Sequence, residues 1–285
     1  MISIAQATAV RREIVRRDYT PLPLFGKVPA MIKWQDVANV SHEMIAMWAK
    51  SWVDATNTGI LTKCAPALDI DIYNEPAAIA CEDYVRERFE EQGWFLVRIG
   101  KAPKRAILFR TDAPFRKITA PLISPHDSAE KIEFLASGQQ IAVHGTHPQT
   151  KQPYRWFGGE PWRIERGELP YIHEFEAQQL IVDVTHILVS EFGYRRSGPA
   201  ANGGIPKAST TGWGPVIDNI LHGRSLHDNI NSLASMLIAS GLKRGAAVHL
   251  IAALLEQADI PHDQRWESRY RDIPRAIDTA YRKFR

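Results

Sequence analysis

The chain begins with segments of helical periodicity that alternate with short apolar runs typical of strands. Apolar spacing predicts one helix over residues 5–18, a second that begins after the N-cap candidate Ser41, and a third over 76–92. In the third helix, the residues predicted to point inward are Ile79, Tyr84, Val85 and Phe89. Strand-like runs lie at 19–29, 59–73, 94–99, 105–110, 131–136 and 139–144, and 59–73 has the pattern of two paired strands. This interleaving predicts an α/β or α+β sheet domain.

From about residue 176 the pattern becomes helical throughout. Ala177–Phe192 has one apolar side, and Gly193–Pro215 is rich in Gly, Pro, Ser and Asn, which indicates a loop or hinge. Ser225–Asp228 resembles a capping box, Gly241 ends that helix, and further helices are predicted at 244–257 and 273–284. We therefore predict a sheet domain at 1–175, a helix plus linker at 176–215, and a small all-helical domain at 216–285.

Composition narrows the class of protein. The 285 residues are 45% hydrophobic and 24% charged, which excludes a mainly disordered chain. Two cysteines cannot form a disulfide framework or a four-cysteine zinc site. The sequence has no apolar run of roughly 20 residues, and its N-terminus lacks the cationic start, apolar block and cleavage site of a secretory signal peptide. We therefore expect a soluble, cytoplasmic protein without a membrane partner.

Positive charge is concentrated in two segments. Residues 98–117 carry seven Lys or Arg against Asp112 alone, and residues 265–285 carry seven against three acids, although the formal net charge is only +3. Such segments suit phosphate ligands or nucleic acid. A solvated basic face explains them equally well at this point.

The acidic strand candidate Ala67–Tyr73 carries the clearest chemical signal. Alternation points Leu68, Ile70 and Ile72 towards a core and places Asp69 and Asp71 together on the other face, about 6.5–7 Å apart. Two such carboxylates repel unless a cation lies between them, and a pair of divalent cations is the usual arrangement for phosphoryl transfer. The alternative is an exposed edge strand with two solvated carboxylates.

A further acid and several polar groups could complete such a site. Glu133 projects opposite to Ile132 and Phe134, and on a neighbouring strand it could add a third carboxylate for magnesium or manganese. It could equally be an ordinary surface residue. Arg98, Lys101 and Lys104 surround a predicted turn and suit a triphosphate, and His147 in a later loop could bind phosphate or sugar.

The order of these features resembles the primase–polymerase branch of the archaeo-eukaryotic primase superfamily, in the form carried by phages and plasmids. The matching segments span about residues 18–170. They are Tyr19 to Trp34, Asn57 to Ile60, Leu68 to Asp71, Val97 to Lys104, Lys131 to Phe134, and Gly145 to Trp156. The part after Gly223 resembles the helical region that follows the catalytic domain in such proteins.

The resemblance implies a fold and a set of site residues. It implies an α+β catalytic domain with an RRM-like sheet core, followed by a small all-α domain. Asp69 and Asp71 fall on its first acidic motif, and Glu133 on its third, where Asp is more usual. A Ser-x-His motif is expected just before 105–110, but Arg98 to Lys104 contains no histidine. We infer that basic residues replace it there.

The resemblance also implies an activity, cofactors and partners. The activity is primase and DNA polymerase chemistry, with two Mg²⁺ or Mn²⁺ ions on Asp69, Asp71 and Glu133. Arg98, Lys101 and Lys104 would neutralise the triphosphate, His147 would contact the nucleotide, and Lys27 would line the same cleft. The DNA-binding candidates of the helical part are Arg265, Arg269, Arg271 and Arg275, near Trp266 and Tyr270. Expected partners are single-stranded DNA, nucleoside triphosphates and a helicase, in a bacterial or phage-infected cell.

Two other functions remain open from the residues alone. A metal-dependent nuclease would also use clustered acids, although no lysine lies as in the common nuclease motifs and no histidine cluster is present. A non-catalytic replication-initiator module would keep the basic segments but would have no use for Asp69 and Asp71.

Overall fold

The computed structural model describes residues 2–197 and 213–283. The chain divides into two compact units, Met1–Gly198 and Pro199–Arg285, called here the first unit and the helical unit. The helices of the first unit are α1 (Ile4–Arg16), α2 (His42–Ser51), α3 (Glu75–Phe89) and α4 (Glu174–Phe192). Its strands are β1 (Pro21–Phe25), β2 (Val28–Pro29), β3 (Asn57–Leu61), β4 (Ala67–Asp71), β5 (Val97–Ile99), β6 (Arg105–Leu108), β7 (Ile118–Ile123), β8 (Ala129–Leu135), β9 (Gln140–His144), β10 (Arg155–Phe157) and β11 (Arg195–Arg196).

The strands of the first unit form two antiparallel sheets. The larger sheet has the order β10-β5-β6-β4-β8-β7-β11, and the smaller has the order β2-β1-β3-β9. Leu68 and Ile70 of the central strand β4 enter a core formed with α3 and α4, while Ala67 enters a core that includes Ile60 and Ile141 of the smaller sheet. One face of β4 is therefore covered by helices, and the other faces the smaller sheet at its N-terminal end.

The segment 59–73 contains two strands, but the prediction that they pair with each other is wrong. β3 pairs with β1 and β9, whereas β4 pairs with β6 and β8. All five residues of β3 are buried, the polar Asn57 and Thr58 included, so the strand has no inward and outward alternation that could identify its neighbours. The chain instead crosses from the smaller to the larger sheet between Leu61 and Ala67.

Helix α3 begins at a side-chain cap and lies against the larger sheet. Asn74 accepts a hydrogen bond from the Ala77 N–H, and Pro76 lies in the first turn. The buried residues of α3 are Ala77, Ala78, Cys81, Val85 and Phe89. They span an arc of about 120° on the helix, and Ile79 lies about 80° outside it. Ile79 is accordingly 41% exposed, which corrects its predicted inward position.

Helix α4 belongs to the first unit. Ala177, Leu180, Val184 and Leu188 pack into the same core as α3, so this unit ends near residue 198 rather than at the expected boundary of 175. The predicted loop Gly193–Pro215 lies mostly outside the described residues, which resume at Trp213. Among the described residues no helix is long and apolar enough to cross a membrane.

The helical unit has a core of its own. Its helices are α5 (Trp213–Leu221), α6 (Leu226–Ala239), α7 (Arg244–Glu256) and α8 (Gln264–Lys283). Ser225 has a φ of 42° and makes no side-chain cap, so the predicted capping box is absent. Helix α8 begins nine residues before the predicted start at 273 and continues through Pro274, because Ile273, Ala276 and Ile277 pack into the core on both sides of the proline. The predicted fold class, an α+β unit followed by a helical region, is confirmed.

Candidate active site

The three predicted catalytic carboxylates lie on one face of the larger sheet. β4 and β8 are antiparallel neighbours, and Asp69 lies directly opposite Glu133 in their register. Opposite residues of an antiparallel pair share a face, as do residues two apart on a strand, so Asp71 faces the same way. Glu133 is 4% exposed, while the side chains of Asp69 and Asp71 are 24% and 28% exposed. The neighbouring strands that a shared site requires are therefore present.

Glu133, Asp69, Ala106 and Arg98 form one row across the larger sheet. Ala106 of β6 is opposite both Asp69 and Arg98, and its small side chain leaves the Arg98 guanidinium room to come within 3.7 Å of the Asp69 carboxylate. Arg98 also donates a 2.8 Å hydrogen bond to the Ala142 carbonyl of β9. Its guanidinium lies 5.3 Å from the centroid of the Tyr154 ring. Arg98 thus links the acidic strand to the smaller sheet.

Lysines pair with the other two carboxylates. Lys104 forms an ion pair with Asp71, and its ammonium lies 3.5 Å from the centroid of the Tyr73 ring. Glu133 is held by Lys117 at 2.7 Å and by Lys131 at 2.8 Å. Lys131 is opposite Asp71 in the register of β4 and β8, so it lies on the same face.

A pocket of about 240 Å³ opens beside this row. The predicted nucleotide ligands all line it, although they come from three separate stretches of chain. Its lining residues are Lys27, Asp69, Asp71, Tyr73, Arg98, Gly100, Lys101, Lys104, His147 and Gln149. A Cβ on Gly100 would lie 2.6 Å from the Tyr154 ring, so a residue with a side chain would not fit there without movement. Glu133 does not line this pocket but adjoins it through Asp69.

Burial and neighbouring charge set the ionisation of the pocket. Burial raises the pKa of Asp69, with Asp71 and Glu133 adding to the effect and Arg98 and Lys27 opposing it. Burial and the nearby Arg98 lower the pKa of Lys27. These shifts favour neutralisation of Asp69 by a cation and of Lys27 by an anion.

A comparison with protein-family models matches residues 12–171 to the description "Bifunctional DNA primase/polymerase, N-terminal". This match covers more than half of the chain. The chain belongs to the bifunctional DNA primase/polymerase family. A comparison with curated proteins finds no match. The resemblance inferred from the order of motifs is confirmed, and membership implies nucleotidyl transfer of the primase/polymerase type in general.

In this member of the primase/polymerase family, His147 is a neutral hydrogen-bond donor. Its Nδ1 accepts the backbone N–H groups of Gln149 and Thr150, both at 3.3 Å. Burial, with the cations Lys27 and Arg98, lowers its pKa to about 4, so the ring is neutral at pH 7. A neutral imidazole whose Nδ1 accepts carries its proton on Nε2. His147 therefore offers an N–H group at the pocket.

Asn57 joins the two loops that carry Lys27 and His147. Its side-chain amide donates to the carbonyls of Gly26 and Thr146, both at 2.8 Å, and its oxygen accepts the Thr146 N–H at 2.8 Å. Gly145, with φ +119°, leaves space for this amide that a Cβ would occupy. Asn57 is 3% exposed, so all of these bonds are shielded from water.

The three carboxylates are the candidate metal ligands of this primase/polymerase fold. Among residues 2–197 and 213–283, no three His, Cys, Asp or Glu side chains are arranged to hold a metal ion. Arg98 and the lysines contact the carboxylate oxygens instead. The donor set is nevertheless of the hard oxygen type that Mg²⁺ and Mn²⁺ prefer. The residues fit such ions chemically, provided that the ammonium groups withdraw.

The predicted DNA-binding arginines lie along α8 of the helical unit. Arg265, Arg271 and Arg275 are exposed, and Arg269 is half-buried. Three of them contact neighbours in the same unit: Arg269 and His227 at 3.3 Å, Arg271 and Glu267 at 3.1 Å, and Arg275 and Asp272 at 2.5 and 2.7 Å. These bonds lie at the surface, where exposed ion pairs are weak and can be exchanged for phosphate contacts.

Aromatic rings stack from His262, just before α8, into its first turns. The ring centroids of His262 and Trp266 are 4.0 Å apart, and those of Trp266 and Tyr270 are 4.8 Å apart, with interplanar angles of 12° and 23°. The Trp266 indole also donates to the Leu255 carbonyl at 3.2 Å. Trp266 therefore also has a packing role in the core of the helical unit.

Sequence reasoning missed several residues of the site. Tyr73 lies two positions after Asp71, and Lys131 two positions before Glu133, so strand alternation alone places both on the acidic face. That signal was available. Lys117 and Gln149 had no such signal, because their positions follow from the pairing of β7 with β8 and from the loop after β9.

Proposed function

We propose that the first unit catalyses template-directed nucleotidyl transfer, which makes primers de novo and extends them. The observation that supports this most directly is the pocket, where the acidic strand meets four basic side chains and a neutral histidine. A primer 3′-hydroxyl, or that of an initiating nucleotide, attacks the α-phosphorus of a nucleoside triphosphate, and pyrophosphate leaves. This is the general reaction of the family to which the chain belongs.

The pocket residues would bind and orient the triphosphate. Arg98 presents a planar guanidinium held by the Ala142 carbonyl, which suits bidentate contact with phosphate. Lys27, Lys101 and Lys104 add point charges, and the Nε2–H of His147 adds a neutral donor. Because Arg98 and His147 are held by backbone groups, they would pre-orient the triphosphate for in-line attack.

The three carboxylates, called here the acidic row, would hold the cofactor. Asp69, Asp71 and Glu133 would bind Mg²⁺ or Mn²⁺ ions, whose chemistry is to activate the attacking hydroxyl and neutralise the leaving pyrophosphate. Asp69 is the central member, because it lies opposite Glu133 and beside Arg98.

The helical unit is proposed to hold single-stranded template. The stack of His262, Trp266 and Tyr270 offers an aromatic surface next to exposed arginines of α8. Single-stranded nucleic acid is bound by such combinations of base stacking and phosphate contacts. We place the activity in the replication of a plasmid or phage, in the cytoplasm of the host cell and together with a helicase.

A primer-synthesis assay tests this function. The full chain is incubated with single-stranded DNA, labelled nucleotides and Mg²⁺ or Mn²⁺, with and without a primer. Lengthened products are expected, and Asp69→Asn should reduce their rate at least about 100-fold, or ~2.7 kcal/mol in activation free energy. Asp54→Asn, a matched change at an exposed position, should leave the rate unchanged.

Two outcomes would contradict the proposal. Shortened DNA that depends on Asp69 and Asp71 would indicate a metal-dependent nuclease. Bound but chemically unchanged DNA would indicate a non-catalytic initiator module. Comparing ribonucleotides with deoxyribonucleotides in the same assay determines which of the two the pocket accepts.

A further inference from the structure

Lys104 contacts both a candidate metal ligand and the pocket proposed for the triphosphate. Its ammonium pairs with Asp71 and lies over the Tyr73 ring. Lys101 lies over the same ring at 5.2 Å from its centroid, but its ammonium pairs with the Gln149 amide at 3.2 Å. Of these two lysines in one turn, Lys104 is the one that contacts a carboxylate.

The charges around the acidic row favour an anion over a free cation. Three carboxylates and six cationic side chains leave an excess of three positive charges. The groups are Asp69, Asp71 and Glu133 with Lys27, Arg98, Lys101, Lys104, Lys117 and Lys131. His147 adds no charge at pH 7. A divalent cation approaching alone meets this excess, whereas a triphosphate is attracted by it.

We propose that Lys104 is an exchangeable counter-ion of Asp71, so that nucleoside triphosphate and divalent cation promote each other's binding. Without nucleotide, the Lys104 ammonium and the divalent cation compete for the Asp71 carboxylate. A bound triphosphate offers the ammonium phosphate oxygens in the same pocket and leaves the carboxylate to the cation. By thermodynamic reciprocity, the cation must raise nucleotide affinity by the same factor. This inference rests on the proposed function.

The side chain and its surroundings suit such an exchange. Lysine carries a compact charge on a flexible stem, so the ammonium can move without a backbone change. The Lys104 side chain is 22% exposed, and Tyr73, whose ring it contacts, is 49% exposed. Lys117 and Lys131 hold Glu133 but do not line the pocket. They should weaken metal binding equally with and without nucleotide.

Binding measurements on the full chain test the coupling. Mn²⁺ affinity is measured by calorimetry with and without a nucleoside triphosphate analogue that has a non-hydrolysable α–β bridge. For the unaltered protein, the analogue should raise Mn²⁺ affinity at least about tenfold, or ~1.4 kcal/mol. In Lys104→Met, Mn²⁺ should bind several-fold more tightly without the analogue, and the coupling factor should fall by the same several-fold to the part that comes from direct attraction between the cation and the triphosphate. Lys104→Arg keeps the charge and should retain part of the coupling.

Lys101→Met is the matched control, since it removes the same charge from the same turn. It should weaken analogue binding and raise Mn²⁺ affinity without the analogue much less than Lys104→Met does, because the Lys101 ammonium pairs with the Gln149 amide and with no carboxylate of residues 2–197 and 213–283. Equal Mn²⁺ affinities in Lys101→Met and Lys104→Met would overturn the inference, as would a folded Lys104→Met protein with full coupling. Absence of Mn²⁺ binding even with the analogue would overturn it as well. Coupling that depends on Lys104 in a protein that makes no product would sustain this inference and contradict the proposed polymerase activity.

Discussion

His147 illustrates how burial determines the chemistry of a single side chain. Its pKa is lowered from 6.5 to about 4 by burial and by the surrounding cations, and its Nδ1 is occupied by two backbone N–H groups. A protonated imidazole would repel Lys27 and Arg98, whereas the neutral ring donates from Nε2 without adding charge. The histidine can therefore contact phosphate throughout the neutral pH range.

This shift predicts a pH dependence of stability. Between pH 6.5 and pH 4 the unfolded chain binds a proton at this histidine and the folded protein does not, so stability falls as the pH is lowered. From pH 7 to pH 5 the loss from His147 should be about 2 kcal/mol. His147→Asn keeps an acceptor near the position of Nδ1 but has no imidazole to protonate. From pH 7 to pH 5, its free energy of unfolding in urea should therefore fall by about 2 kcal/mol less than that of the unaltered protein. An equal fall in both proteins would contradict the assignment of a neutral His147.

The residue scale also shows what the sequence could reveal about the site. Strand alternation was sufficient to place Asp69 and Asp71 together, and the same rule extends to Tyr73 and Lys131. It could not show that residues 98–117 serve several purposes. Arg98, Lys101 and Lys104 line the pocket, but Arg105 is buried beneath the sheet and Lys117 holds Glu133. The sequence shows only that basic residues are concentrated in this segment, and the fold determines which of them reach the pocket.

At the scale of elements, the site depends on the relative position of two loops. The β1–β2 turn carries Lys27 and the loop after β9 carries His147, and the buried Asn57 amide on β3 holds both. These loops come from the smaller sheet, whereas the carboxylates come from the larger one. Their convergence could not be predicted from spacing, because the sequence indicated that β3 and β4 were paired.

Asn57→Asp should disturb the relative position of these two loops. The carboxylate can still accept the Thr146 N–H, but it cannot donate to the carbonyls of Gly26 and Thr146, which are left unpaired. We expect a loss of about 2 kcal/mol or more in the free energy of unfolding, and an analogue dissociation constant raised about tenfold. Asn39→Asp, the same change at an exposed position, is the control. Unchanged nucleotide binding in a destabilised Asn57→Asp protein would contradict a positioning role.

A buried ion pair attaches α3 beneath the acidic strand. Arg105 of β6 pairs with Glu82 of α3 at 2.6 Å, with side chains 8% and 14% exposed. Arg105→Met should cost about 3 kcal/mol of unfolding free energy, because it leaves Glu82 buried with one partner fewer. Arg105→Met combined with Glu82→Leu should recover part of that loss in urea unfolding, since both charges are then absent. A double variant less stable than the single one would contradict this.

The whole molecule consists of two units with separate cores. Within the part of the chain that the structure describes, the residues that pack around β4 lie before residue 198, and those that pack around α6 lie from Trp213 onward. The sequence indicated a change to helical texture near residue 176, whereas the first unit continues to Gly198. It could not show that α4 stays with the sheet, because an amphipathic helix does not reveal from its own pattern which surface it covers.

Separate cores predict that residues 1–197 fold alone and keep the pocket proposed for the nucleotide. The fragment should bind the triphosphate analogue within about twofold of the full chain, since all pocket residues lie between Lys27 and Gln149. It should bind single-stranded DNA more weakly and with a shallower salt dependence, because we propose that α8 contributes arginine contacts in the full chain. Each phosphate contact accounts for about 0.7 in the slope of log affinity against log salt, so loss of three or four arginines should lower the slope by roughly 2–3. Fluorescence anisotropy at several salt concentrations measures both quantities. A fragment that folds and binds the analogue, yet shows the full salt slope, would place the template on the first unit instead of on α8.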